Sequence, residues 1–199
     1  MPPTYYPNVT ANDPNEISAS VDRLQENLWV LQAQAGDGDA ARELVNRYER
    51  RLLYYLLRFE ASPERAADVL QDIWLTVFKG LEKLRSPEAF RVWLYQIAHD
   101  RVVTEIRQST RRQKAQEVLG AGEAEMDETP PFKEKAEWVH LALGLLPPEH
   151  REVLTLRFLE DLSLEEIAEA VRCPLGTVKS RLHHAKQSMK VILEKQRHG

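Results

Sequence analysis

The sequence predicts an all-α protein: two small helical domains joined by a flexible linker. Apolar residues recur at helical spacing from Val21 almost to the C-terminal end, and β-branched residues nowhere alternate with polar ones over a useful length. A Gly-, Pro- and acid-rich stretch, GAGEAEMDETPP, interrupts this pattern once. Residues 1–20, rich in proline and asparagine, read as a flexible N-terminal tail. Val21, Leu24, Leu28 and Leu31 then share a helical stripe that Ala35-Gly36 stops, and Asp37-Gly38-Asp39 turns the chain into a second helix. That helix runs to about Phe59 with Leu44, Tyr48, Leu52, Tyr55 and Phe59 on one side. Ser62-Pro63-Glu64 and Ser86-Pro87-Glu88 each supply an N-cap, a first-turn proline and an acid, so helices are expected over 63–81 and 87–110. Beyond the linker, a helical pattern resumes near Lys133, breaks at Pro147-Pro148 and continues through Val153, Leu156 and Leu159. The expected domains are 21–112 and 133–199, with 113–132 as the linker.

At 199 residues, 43% hydrophobic and 29% charged, the chain can bury one or two ordinary cores. Its net charge of −4, taken whole, argues against a partner that is a polyanion. The charge is sorted, however: 101–114 holds five bases and one acid, 172–199 seven and one, and 147–171 two and seven. Phosphate contacts depend on such local cations, so nucleic acid is not excluded. A single cysteine, Cys173, excludes an internal disulfide and any CxxC motif, which suits a reducing compartment. With no long apolar run and no signal-like start, a cytoplasmic protein without direct membrane insertion is expected.

The C-terminal part carries the most specific pattern. Ser163 with Glu166 three residues on forms a capping box ahead of a short helix bearing Ile167, Ala168 and Val171. A break at Arg172-Cys173-Pro174 and a longer helix follow, at the spacing of a helix-turn-helix. On the longer helix Val178, Leu182, Ala185 and Met189 face inward. The other side carries Thr177, Ser180, His183, His184 and Gln187, flanked by Lys179, Arg181, Lys186 and Lys190. With no acid between Arg172 and Val191, these hydrogen-bonding and cationic groups suit base edges and phosphates better than a merely solvated face. His183 and His184 point about 100° apart with no third ligand nearby, so no metal is expected. Cys173 reads as a small packing residue of the turn.

In the N-terminal part, Ala66, Leu70, Ile73, Val77 and Leu81 make one stripe, and Asp68, Gln71, Asp72, Leu75 and Lys79 occupy the opposite face. An exposed leucine among carboxylates and an amide suits a protein-docking helix, although a lone surface leucine also needs no explanation. Further on, Phe90, Leu94 and Ile97 are core at helical spacing. Trp93 and Tyr95 lie off that stripe beside Arg101, Arg107, Arg111, Arg112 and Lys114, a combination of stacking faces and charge that suits unstacked bases.

The stretch from Leu146 to Met189, with its PxGTVKSRLxxA core at 174–185, resembles region 4 of the extracytoplasmic-function sigma factors of bacterial RNA polymerase. Residues 33–58, 67–84 and 90–112 resemble three successive blocks of region 2 in the same family. The resemblance implies a polymerase-core-binding face at Asp68, Gln71, Asp72 and Leu75 that meets the clamp helices of the largest subunit. It implies −10 DNA contacts from Trp93, Tyr95, Asp100, Arg101, Thr104, Arg107, Arg111 and Arg112, and −35 contacts from Thr177, Lys179, Ser180, Arg181, His183, His184 and Lys186. The flap of the second-largest subunit, promoter DNA and, as in many relatives, an anti-sigma factor are the other implied partners. Asp100 stands where the family usually has Asn, Thr104 where Asp is common, and His183 and His184 where Arg or an aromatic is frequent, so the promoter sequence does not carry over. No Walker A, Rossmann glycine pattern, HExxH or GxSxG occurs, and neither enzymatic activity nor a cofactor is expected. A stand-alone helix-turn-helix regulator that binds duplex DNA without polymerase is the alternative. A helical adaptor with no nucleic-acid role would leave the basic helix unexplained.

Overall fold

The computed structural model describes residues 14–59, 62–118 and 135–197. Among them the chain forms eight α-helices and two single 3-10 turns, with no strand. α1 (Pro14–Gln34) begins seven residues before Val21, inside the stretch expected to be a tail, and Pro14 takes a first-turn position where its missing N–H loses nothing. Gly36, at φ +92°, closes α1: its N–H meets the carbonyl of Ala33 while that of Asp37 meets Gln32. The Asp37 carboxylate then accepts the N–H groups of Asp39 and Ala40 at 2.9 and 3.2 Å and starts α2 (Gly38–Leu56). Ser62 caps α3 (Pro63–Gly80) through the Arg65 N–H. Turns at Leu81–Lys83 and Pro87–Ala89 lead into α4 (Phe90–Val118), which continues well into the expected linker.

α2, α3 and α4 enclose a core of large side chains: Leu44, Tyr48, Leu52, Tyr55, Ile73, Val77, Phe90 and Leu94 are all buried. α1 lies against α2 and both 3-10 turns, tied at its end by the Gln34 amide, which donates to the carbonyls of Leu81 and Leu84 at 2.9 and 2.8 Å. It packs through Glu26, Trp29, Val30 and Ala33, whereas Val21, Leu24, Leu28 and Leu31 remain exposed. The apolar stripe that defines α1 in the sequence is therefore the outer side of this helix. Glu26 can face inward because the Tyr48 hydroxyl donates to it at 2.7 Å and Arg47 pairs with it at 2.9 Å.

The C-terminal unit comprises α5 (Lys135–Gly144), α6 (Pro148–Phe158), α7 (Leu164–Ala170) and α8 (Leu175–Arg197), with α8 packed on the other three. Arg151 ties the α5–α6 corner by donating to the carbonyls of Gly144 and Leu146 at 2.7 and 2.9 Å. The capping box is present in full: Ser163 accepts from the Glu166 N–H, and the Glu166 carboxylate accepts from the Ser163 N–H. Arg172, at φ +49°, turns the chain from α7 toward α8. The two units are not held apart. α7 packs on α4, and Val153, Leu156, Leu162 and Ile167 join the aromatic core of the first unit in one apolar cluster.

Candidate polymerase and nucleic-acid interfaces

Three faces carry the expected functional residues. On α3, Asp68, Gln71, Asp72 and Leu75 are all exposed, opposite the buried stripe of Ala66, Leu70, Ile73 and Val77. Phe78, one turn beyond Leu75 and stacked on Trp74 at 5.7 Å, is also exposed and enlarges the apolar part of this face. The sequence reading missed it because Phe78 sits beside the core stripe rather than opposite it. A half-exposed apolar pair ringed by carboxylates has the chemistry of a docking surface.

On α4 the expected residues divide. Tyr95 is fully buried, and its hydroxyl donates to the Glu160 carboxylate of the C-terminal unit. Burial, and then the charge of Glu160, push that hydroxyl well above its ordinary pKa, so it remains a protonated donor. Trp93 is half-buried: its ring packs toward Phe90 and so close to Gly80 that a Cβ there would meet it at 2.9 Å. Neither ring is open for base stacking in this arrangement. Arg101 points sideways, donating to the Thr76 hydroxyl at 3.1 Å and lying 3.9 Å from Asp72. Asp100, Thr104, Arg107 and Arg111 are exposed, and Asp100 pairs with Arg172 at 2.9 Å. The Arg112 side chain lies outside the described residues.

On α8 the arrangement follows the helical pattern closely. Val178, Leu182 and Ala185 are buried, and Lys179, Ser180, His183, His184 and Lys186 are exposed on the outer side. Thr177 and Arg181 are half-buried, with Arg181 reaching toward the Cys173 sulfur in the turn. Lys186 covers the exposed Phe158 ring at 5.2 Å, and His184 stacks beside His150. The outer side thus presents two cations, two imidazoles and a hydroxyl from one rigid helix held by a capped neighbour. Donors and acceptors so mixed can meet both phosphates and base edges.

Comparison with known proteins decides the family. The family model "Sigma-70 region 2" matches residues 44–112 and "Sigma-70, region 4" matches residues 136–189. The RNA polymerase sigma-H factor of Pseudomonas aeruginosa is 30% identical over 85% of this chain and 94% of its own length. The chain belongs to the extracytoplasmic-function sigma factors. The sigma-E factor of Haemophilus influenzae is likewise 30% identical, over 83% of this chain and 94% of the relative. Among solved structures, CnrH in complex with the cytosolic domain of CnrY aligns with a TM-score of 0.64 at 22% identity, covering 86% of this sigma factor and 98% of that chain. RpoE in complex with the anti-sigma factor NepR from Bartonella quintana gives 0.64 at 18%, covering 77% and 96%. In this sigma factor α2 to α4 correspond to region 2 and α5 to α8 to region 4. Among the described residues no helix is long and apolar enough to cross a membrane.

Proposed function

We propose that this sigma factor carries polymerase core to promoters through three faces, and that it contributes address and strand opening while the polymerase performs the chemistry. The α3 face of Asp68, Gln71, Asp72 and Leu75, with Phe78 added, docks on the clamp helices of the largest subunit. The exposed part of α4, from Asp100 through Arg111, takes the −10 element, with Trp93 and Tyr95 available only after local rearrangement. α8 enters the major groove of the −35 element, with Lys179 and Lys186 on phosphates and Ser180, His183 and His184 toward the bases. Region 4 also meets the flap of the second-largest subunit, and an anti-sigma partner would act by competing for these faces. The observation that carries this reading is α8, whose outer side from Thr177 to Lys190 is cationic and hydrogen-bonding without an acid, as the second helix of a helix-turn-helix whose first helix is held by a capping box.

A core-dependent run-off assay across a promoter library tests it. Promoter-specific transcripts above core alone are expected, and Lys179→Glu with Lys186→Glu should remove them, since each reversed charge turns a phosphate contact into repulsion. Absence of any such transcript from the unaltered chain would sink the proposal. Tight, specific duplex binding without core, at about 10⁻⁸ M or better, would instead favour the stand-alone regulator.

A further inference from the structure

Region 4 sits on region 2 through side chains that, Tyr95 and Asp100 apart, the promoter and polymerase faces leave unused. α2 and α4 present a row of donors at one-turn spacing: Arg51 and Tyr55 on one helix, Arg91, Tyr95 and His99 on the other. Two carboxylates of the C-terminal unit enter this row. Glu160, 1% exposed, accepts from Arg51 Nε at 2.9 Å and from the Tyr95 hydroxyl, while its backbone carbonyl accepts from Arg91. Glu152, 5% exposed, accepts from the Tyr55 hydroxyl at 2.6 Å and lies 2.7 Å from His99 Nδ1.

A carboxylate buried this deeply is unfavourable without several hydrogen-bond partners. The side-chain partners named for Glu152 and Glu160 all come from the other unit, so these buried sites are complete only while the units are together. Burial, followed by the neighbouring carboxylates, pushes the hydroxyls of Tyr55 and Tyr95 well above their usual pKa, which keeps both as donors. At the rim the contact continues onto the α4 surface. Gln96 donates to the Glu169 carbonyl at 3.2 Å, and Arg172, in the helix-turn-helix turn, pairs with Asp100 at 2.9 Å.

We infer that Glu152 and Glu160 form an intramolecular latch that holds the free chain closed, with the helix-turn-helix unit seated over the α4 surface, so that promoter engagement requires the two units to part. The consequence for promoter engagement rests on the reading that α4 takes the −10 element; the latch itself rests only on the contacts between the units. In the closed form Tyr95 and Asp100 are both occupied by region 4. Opening would free them together, and it would expose to water both the two carboxylates and the apolar side chains of Val153, Leu156, Leu162 and Ile167 that the units share, so the latch acts alongside an apolar seam rather than alone.

Small-angle scattering of the full chain, free of polymerase, tests the latch. The unaltered protein should scatter as one compact particle. Glu152→Gln with Glu160→Gln should shift the closed-to-open ratio toward the open form by at least about tenfold per carboxylate, since bonds to charged groups are the strong ones. Tyr55→Phe with Tyr95→Phe, which removes only two hydroxyls and keeps the rings in the core, should open the chain in the same direction with far-UV circular dichroism unchanged. An unaltered chain that is already extended, or two folded double variants that scatter like it, would overturn the latch. A run-off assay at limiting polymerase core, made on the unaltered chain and on Glu152→Gln with Glu160→Gln, neither residue lying on a promoter or polymerase face, separates the two ideas. More transcript from the open variant supports the latch as a brake, and less transcript from it overturns that role. Equal transcript from open and closed chains overturns its inhibitory role. No transcript from any chain, the unaltered one included, counts against the sigma-factor mechanism alone, and scattering still decides the latch.

Discussion

The two units solve the problem of burying charge in opposite ways. Region 2 is packed with large aromatic and aliphatic side chains and turns its donors, Arg51, Tyr55, Arg91, Tyr95 and His99, toward its neighbour. Region 4 is built from aliphatic side chains such as Leu156, Leu162 and Ile167 and divides its charge along the chain. The acidic segment 147–171 supplies the carboxylates that face inward, whereas the basic helix α8 faces away. A total of −4 is thus the difference between segments with separate tasks. What decides partner choice is which of these a partner can reach.

The comparison breaks most visibly in the core. Phe90, fully buried beside Tyr48 and Trp93, should cost about 3–5 kcal/mol when replaced by Ala, and Ile167→Ala, on the region 4 side of the same cluster, about 2–5 kcal/mol, toward the lower end. Because Phe90 and Ile167 belong to one continuous apolar cluster, each substitution should lower amide protection in both units, as read by hydrogen exchange. Loosening confined to the substituted unit would show that the units are energetically separate.

Alkali attacks the seam next. Burial first, and then a neighbouring carboxylate, raise the pKa of Tyr48, Tyr55 and Tyr95 above the ordinary 10.0. These groups stay protonated when folded but ionise when unfolded, so above about pH 10 the unfolded chain binds fewer protons and stability falls. The expected slope is about 1.4 kcal/mol per pH unit for each tyrosine, and stability is fully present below that range. Urea midpoints measured between about pH 8 and pH 11 should fall steeply for the unaltered chain and less steeply for Tyr55→Phe with Tyr95→Phe. Equal slopes would mean that the two seam tyrosines do not titrate as their surroundings dictate.

How much of this was legible in the sequence depends on how many sides of each helix are covered. α2, α3 and α8 each bury one side and expose the other, so apolar spacing identified Leu44 to Tyr55, Ala66 to Val77 and Val178 to Ala185 correctly. α1 and α4 have more than one contact surface. The regular stripe of α1 faces out, and its inner side includes Glu26, a carboxylate made acceptable only by Tyr48 and Arg47 from α2. Tyr95, off the apolar stripe of α4, read as a stacking residue, yet it is buried by Glu160, 65 residues away along the chain. Spacing within one helix cannot report a partner that arrives from another unit. The family resemblance pointed to α3 and α8 residue by residue, but of the seam's donors and carboxylates, all of which lie inside the stretches that carry it, it assigned a role to Tyr95 and, at the rim, Asp100 alone.

A smaller effect distinguishes local from shared stability within region 4. Ser163 satisfies one otherwise orphaned N–H of α7, and Glu166 answers it, so Ser163→Ala should cost about 0.5–2 kcal/mol. Because α7 is the helix that packs on α4, part of this loss should appear as fraying of the seam. Hydrogen exchange of α7 and α4 should quicken together; quickening in α7 alone would place the cap outside the seam.

The smallest expected effect concerns the pair that looks most like a clasp. Arg172 and Asp100 meet at 2.9 Å across the seam, but their side chains are 60% and 50% exposed. Water screens such a pair and its long side chains lose freedom in forming it, so Arg172→Ala should change stability by no more than about 1 kcal/mol. Glu160, by contrast, is nearly dry and accepts from two side chains at once. Scattering should therefore show Arg172→Ala almost as compact as the unaltered chain, and raised salt should mimic that small loss without opening the molecule. If Arg172→Ala opened the chain as far as Glu160→Gln, the rim rather than the buried carboxylates would hold the units together.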